Sequence, residues 1–324
     1  MTCSSPPRGT AALALAIVGI SGGLACALPR PSPSAEAAAH EAPAGNAPPA
    51  VDSSSSAASA ARTSPPSTSS GSARAGASAS ASPQAPPLPP LVAASPWAEL
   101  ALDGFKPAVV SLPLGARGPT PVMVITHGAG DNPSWQCEWW RTLVRDRAFL
   151  LCPRGIPAGR LPSGNMGYAY ASEPALERET LAAIAALGAR HGPYVDTERM
   201  IYAGFSQGAA FGVPFLARHA GRFRAAILLE GGARADSWTM ARAHAMSREG
   251  LGRVLFGCGQ TGCAQAARTA AGRLERAGIE ARVFHAQGAG HTYAGTGVER
   301  ETYAAFDWVI DGDPRWAKGP AAPP

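Results

Sequence analysis

The sequence predicts an α/β fold: a mostly parallel central sheet with helices on both faces. From residue 91 onward, short apolar runs alternate with helical patterns of ten or more residues, as expected for parallel strands joined by crossover helices. One of these runs passes into a helical pattern through the short segment Gly204-Phe205-Ser206-Gln207-Gly208. Glycine-rich segments fall where predicted strands end, at His127–Gly130, Gly204–Gly208, Glu230–Gly232, Gly257–Gly259 and Gly288–His291. In such sheets the chemistry collects at the carboxyl ends of the strands.

Taken in order, Ala108–Leu114 and Pro121–Thr126 are apolar runs predicted as strands. Pro133–Asp146, with Ser134 near its start and Trp135, Trp139 and Trp140 within it, is predicted as a helix. Ala148–Cys152 is the next strand, and Glu173–Arg190 an amphipathic helix with acidic residues in its first turns, where they suit the helix dipole. Met200–Ala203 leads into the glycine-flanked turn, and the helix after it runs to Arg218. Strands are expected at Ala225–Leu229, Arg253–Phe256 and Glu280–Phe284, and helices at Asp236–Arg248, Cys263–Ala277 and Val298–Ile310. The segment from Gly164 to Tyr170, with Tyr168 and Tyr170, reads as part of a long loop beside the site.

Composition divides the 324 residues unevenly. Residues 28–90 are dominated by Ala, Ser, Pro and Gly and are expected to form a disordered linker, because they bury too little apolar surface to offset chain entropy. Residues 91–324 hold the predicted domain. Of the formal charge of +5, residues 1–90 supply +1, from four arginines against three acidic residues, leaving +4 on the rest. Its basic residues are scattered, so nucleic acid is not an expected partner. Residues 1–27 read as a secretory signal: Arg8, an apolar run from Ala11 to Ile20, then small residues. Ala25-Cys26-Ala27 suits ordinary cleavage, whereas Gly23-Leu24-Ala25-Cys26 resembles a lipobox that would lipidate Cys26 and tether the chain to a membrane. The expectation is therefore an exported protein, lipid-anchored in the cell envelope or secreted.

Export alters the meaning of the cysteines. Cys137, Cys152, Cys258 and Cys263 remain outside the signal, an even number in an oxidising compartment. Of the three possible pairings the two local ones are favoured, Cys137–Cys152 and Cys258–Cys263. In the chain-entropy model these contribute about 3 and about 2 kcal/mol respectively. Neither pair has Cys-x-x-Cys spacing or an adjacent histidine, so no metal site is expected.

Gly-x-Ser-x-Gly between strand and helix is the nucleophile elbow of α/β hydrolases. The flanking glycines permit a turn tight enough to lift the Ser206 hydroxyl above the sheet edge. A serine hydroxyl needs a neighbouring base. His291, on the loop after the last predicted strand, stands where the chain order serine–acid–histidine puts it. Backbone donors for a developing oxyanion are expected from Gln207 and from the His127–Gly130 loop, at Ala129.

Val124 to Asp131 and Gly204 to Ala209 resemble the phospholipase/carboxylesterase and dienelactone-hydrolase-like group of α/β hydrolases, as does Leu151-Cys152-Pro153-Arg154-Gly155. The likeness runs from about Pro107 to Asp311. It implies a serine esterase or thioesterase acting on small-molecule acyl substrates without a cofactor. The group carries its acid as Gly-x-x-Asp after the penultimate strand, where this chain has Gly257-Cys258-Gly259-Gln260. Glu230, after the Ala225–Leu229 strand, is the substitute acid, with Asp236 next, and a loop-anchoring role for Glu230 stays open. A prolyl-oligopeptidase-type serine peptidase and a non-catalytic envelope protein on the same scaffold are the alternatives.

Overall fold

The structure is a computed structural model and describes residues 88–317. The signal at 1–27 with Cys26, linker residues 28–87 and residues 318–324 lie outside the described residues. Residues 88–90, assigned above to the linker, belong to the folded body: Leu88 N donates to Arg117 O (3.0 Å), and the Tyr194 hydroxyl donates to Pro89 O (2.9 Å).

The elements are β1 (Trp97–Leu100), β2 (Ala108–Ser111), β3 (Thr120–Thr126), α1 (Pro133–Val144), β4 (Phe149–Cys152), β5 (Ile156–Arg160), β6 (Met166–Ala169), α2 (Glu173–His191), β7 (Val195–Phe205), α3 (Gln207–Arg218), β8 (Phe223–Leu229), α4 (Met240–Glu249), β9 (Arg253–Cys258), α5 (Thr261–Arg276), β10 (Glu280–His285) and α6 (Thr296–Ile310). Eight strands form one sheet in the order β1-β2-β4-β3-β7-β8-β9-β10. From β4 to β10 every pairing is parallel, whereas β2 runs antiparallel to both β1 and β4. This strand order, with a helix entered directly from β7, is that of the α/β-hydrolase fold.

The two faces can be read from β7. Met200 and Tyr202 join the core cluster that contains α2, α3, α4 and α5, while Ile201, Ala203 and Phe205 join the cluster that contains α1 and α6. From Met200 to Phe205 the strand is buried on both sides and apolar, so this stretch reads as an unbroken run, whereas the half-buried and exposed first five residues of β7 are mostly polar. Both disulfides pair locally, Cys137–Cys152 joining α1 to β4 and Cys258–Cys263 bridging β9 to the first turn of α5.

Several boundaries differ from expectation for local reasons. The first predicted strand stops at Ser111, two residues before Pro113, which has no N–H to give a ladder. The helix expected at Asp236 starts at Met240, because the Trp238 indole is buried and donates to Gly232 O (2.7 Å). Thr239 then caps the helix by accepting from Arg242 N. The loop containing Tyr168 and Tyr170 includes a hairpin, β5 antiparallel to β6. β5 is exposed at all five positions, so it carries no alternating apolar signal.

Candidate active site

Ser206 sits between β7 and α3 with φ 49° and ψ −110°, a region that side chains other than glycine seldom adopt. Its amide donates to Leu229 O (2.9 Å), tying the turn to the neighbouring strand. The flanking glycines are sterically required. A Cβ on Gly204 would fall 2.7 Å from Ala209 N, and one on Gly208 would strike the Thr126 carbonyl. Beneath the turn, the buried Tyr202 hydroxyl donates to Gly208 O (2.7 Å) and shares a 2.6 Å hydrogen bond with Thr126.

His291 and Glu230 meet this serine. His291 Nε2 lies 2.8 Å from Ser206 Oγ, and His291 Nδ1 lies 3.3 Å from Glu230 Oε2. The Glu230 side chain is fully buried, whereas the imidazole is 44% exposed. Glu230 adopts φ 51° directly after β8, with its amide donating to Gly257 O (2.8 Å). Its Oε1 accepts from the backbone amides of Gly259 and Gln260. Gln260 is also the N-cap of α5, so Glu230 Oε1 accepts at the N-terminal end of that helix. The loop that holds the acid in the resembling group thus supplies backbone donors to an acid on the adjacent strand. Asp236 is elsewhere, solvent-exposed and paired with Arg234 at 2.9 Å.

The short loop closed by Cys258–Cys263 touches Glu230 and the loop that carries His291. Its Gly259 and Gln260 amides hold Glu230, and a Cβ on Gly259 would collide with the carbonyl of Gly290, the residue before His291. A C258A/C263A double variant should lose turnover through kcat, while C137A/C152A, remote from these contacts, loses only stability, about 3 kcal/mol in the chain-entropy model. Ester kinetics well below each melting temperature, set beside the melts themselves, check this; equal kinetic effects of both variants would refute it.

On the other side of Ser206 lies the His127–Gly130 loop. A Cβ on Gly128 would sit 3.2 Å from Ser206 Cβ, so this loop passes against Ser206. Neither the Ala129 nor the Gln207 amide donates a hydrogen bond among the described residues, leaving both N–H groups for a ligand. His127 is fully buried, with Nδ1 2.8 Å from Gly128 O and Nε2 2.8 Å from Arg154 O. Burial lowers its pKa, against the pull of those two carbonyls. Glu179 fixes Arg154 in turn, its Oε1 accepting from the amides of Arg154 and Gly155, both at 2.9 Å. Burial raises the Glu179 pKa, and these amides oppose the rise.

The depressed His127 pKa has a testable sign. Below the ordinary histidine value of 6.5 the unfolded chain takes a proton that the folded chain refuses, so stability is lost as pH falls from there toward the folded value. His191, lowered by burial as well, acts in the same direction. Urea unfolding between pH 7 and 5 should show His127→Gln flattening the slope by up to about 1.4 kcal/mol per pH unit; an unchanged slope contradicts the assignment.

Aromatic contacts anchor the histidine loop. Phe205 packs against His291 (ring centroids 5.2 Å) and Tyr293 (5.0 Å), and Tyr293 packs edge-on against Trp139 (5.7 Å). Trp140 lies in the core. Glu179 escaped the sequence reading although a signal existed: it lies among Leu176, Thr180, Ala183, Ile184 and Leu187 on the buried stripe of α2, where an unpaired carboxylate is costly. The Gly259 and Gln260 donors are backbone groups and leave no mark in side-chain identity.

Among the described residues no helix is long and apolar enough to cross a membrane, and no cluster of His, Cys, Asp or Glu could hold a metal ion. A comparison with protein-family models and one with curated proteins find no match. Among solved structures, the carboxylesterase of Bacillus cereus is similar at 18% identity, covering 62% of this chain and 93% of its own, with a TM-score of 0.43. A dienelactone hydrolase-like promiscuous phosphotriesterase, P91, from metagenomic libraries aligns at 18% identity over 65% of this chain and 94% of its own, TM-score 0.46. The thermostable carboxylesterase EstE1, also from a metagenomic library, aligns at 16% identity over 67% and 87%, TM-score 0.45. By its own strand order and by the turn that carries Ser206, the chain is an α/β hydrolase in fold.

Proposed function

We propose that the chain is an exported serine hydrolase that cleaves carboxylic esters or thioesters of small-molecule substrates without a cofactor. The observation that carries this reading is the continuous hydrogen-bonded path from Ser206 Oγ through the His291 ring to a buried carboxylate. Ser206 Oγ attacks the acyl carbon while its proton passes to His291 Nε2. The oxyanion is received by the Ala129 and Gln207 amides. The bond to the leaving alcohol or thiol breaks as His291 returns the proton to it, and an acyl-enzyme remains. Water then attacks the acyl carbon with His291 taking its proton; the acyl–Oγ bond breaks, the proton returns to Ser206, and the carboxylic acid departs. Glu230 accepts from Nδ1–H throughout and stabilises the imidazolium without itself taking the proton.

Export rests on the signal-like segment at 1–27 and on the two disulfides. Cys26 would supply a membrane tether if lipidated. Gln260 in place of the usual acid would suit a non-catalytic protein, but a carboxylate, Glu230, stands beside His291 and supports the catalytic reading. A substrate panel tests the reaction class. Turnover of p-nitrophenyl acetate and butyrate, with none of prolyl peptide substrates, is the expected result, and the reverse would establish a peptidase.

A further inference from the structure

We infer that the strand end Tyr168–Tyr170 is a splint setting the two oxyanion-binding loops relative to one another, and that Gln207 is a positioning residue through its side chain. The inference rests on the proposed hydrolysis and adds a role that the glycine–serine–glycine turn does not require. Gln207 follows the nucleophile, and only its backbone amide faces the reaction. Its side chain points away, to the backbone of Tyr170. There Gln207 Oε1 accepts from Tyr170 N (2.9 Å) and Gln207 Nε2 donates to Tyr170 O (3.1 Å). This two-bond clasp fixes the side chain as a strand partner would.

The same short segment grips the other loop. Gly130 N donates to Tyr168 O (2.7 Å) and Tyr168 N donates to Asp131 O (2.8 Å), an isolated antiparallel bridge. Asn132 Nδ2 adds a bond to Met166 O (3.2 Å). Gly167 passes so near that an added Cβ would fall 2.7 Å from Gly130 O. Between the two grips, the buried Tyr170 ring stacks on His127 with centroids 4.7 Å apart, and its hydroxyl donates to Pro153 O (3.0 Å). One stretch of three residues therefore hydrogen-bonds the loop after β3, which carries Ala129, and the first residue of α3, which carries the second amide.

Two donors converging on one oxygen must hold their separation, because a misplacement of about 1 Å can cost about 100-fold in rate. Ala129 belongs to a loop without regular structure, and Gln207 is the first residue of a helix. One backbone bond already joins them at the base of the loop, Gly208 N to His127 O (3.1 Å). The clasp and the bridge add a second link through Tyr168–Tyr170, reaching the Gly130 end of the loop.

The test uses the full chain and three variants, Gln207→Ala, Gln207→Met and Gln207→Glu. All three keep the backbone amide. Alanine and methionine remove both bonds, while glutamate keeps the acceptor and sets a carboxylate oxygen against Tyr170 O. The readouts are kcat and KM on p-nitrophenyl butyrate, melting temperature, and inhibition by phenylboronic acid, whose tetrahedral adduct places an oxygen where the oxyanion forms. Gln207→Ala and Gln207→Met should lower kcat about 10- to 100-fold with KM within about twofold, and weaken phenylboronic acid by a similar factor. Gln207→Glu should fall between them and the wild type. Wild-type kcat in the alanine and methionine variants would overturn the inference. So would losses that track melting temperature while phenylboronic acid inhibition stays unchanged. An inactive wild type that reacts with no fluorophosphonate would instead remove the proposed hydrolysis, and the inference with it.

Discussion

Replacing Ser206 by alanine should abolish turnover of p-nitrophenyl butyrate, with kcat falling by about 10⁶-fold, the scale seen when a serine hydrolase loses its nucleophile. The change removes one oxygen from a half-exposed position, and the turn's positive φ stays with the backbone. Among the described residues the hydroxyl's one hydrogen bond is to His291, so the fold keeps its other bonds and melting temperature should move little. His291→Ala should match this loss, and the double variant should be no worse than either single one, because the two residues act as a unit. Turnover within an order of magnitude of wild type in Ser206→Ala would place the chemistry elsewhere.

The second large effect belongs to Glu230. Glu230→Gln keeps an acceptor for the Gly259 and Gln260 amides but removes the charge opposite His291 Nδ1. Loss of that charge and of the tautomer it enforces should lower kcat by about 10⁴-fold. Glu230→Ala should be equally slow and also less stable, because the buried Gly259 amide loses its acceptor at about 1–3 kcal/mol. Asp236→Asn is the control: the exposed Asp236 carboxylate pairs with Arg234, an interaction of the kind that contributes about 0–1 kcal/mol, so both kcat and stability should stay near wild type. If Asp236→Asn proved the slower variant, the acid would have to be reassigned. Gln260→Asp alone should gain nothing, since Glu230 already occupies the space beside the imidazole.

How much could be read in advance follows from which atoms carry the information. Met200–Phe205 of β7 and Ala225–Leu229 of β8 are buried on both faces and apolar, so they stand out as unbroken apolar runs. The glycines beside Ser206 are dictated by Ala209 and the Thr126 carbonyl, and that need is written in residue type. Chain order anticipated that Ser206 and His291 would be neighbours, although 85 positions separate them. Glu230 was separable from Asp236 only in space, because either carboxylate could follow β8. The edge strand β1 is four residues long and only Leu100 in it is fully buried, too little to rise above its surroundings. The hairpin escaped because β5 buries nothing. The grip of Gly259 and Gln260 on Glu230, like that of Tyr168 on Gly130, runs through backbone groups that every residue possesses.

An imidazole held by a buried carboxylate should make the Ser206 hydroxyl reactive toward covalent phosphonylation. Wild-type protein treated with a fluorophosphonate should gain a single adduct, mapped by mass spectrometry to Ser206, with labelling slowed by orders of magnitude in His291→Ala. A wild type that stays unmodified, or an adduct on Ser206 that forms equally fast without His291, would contradict the account.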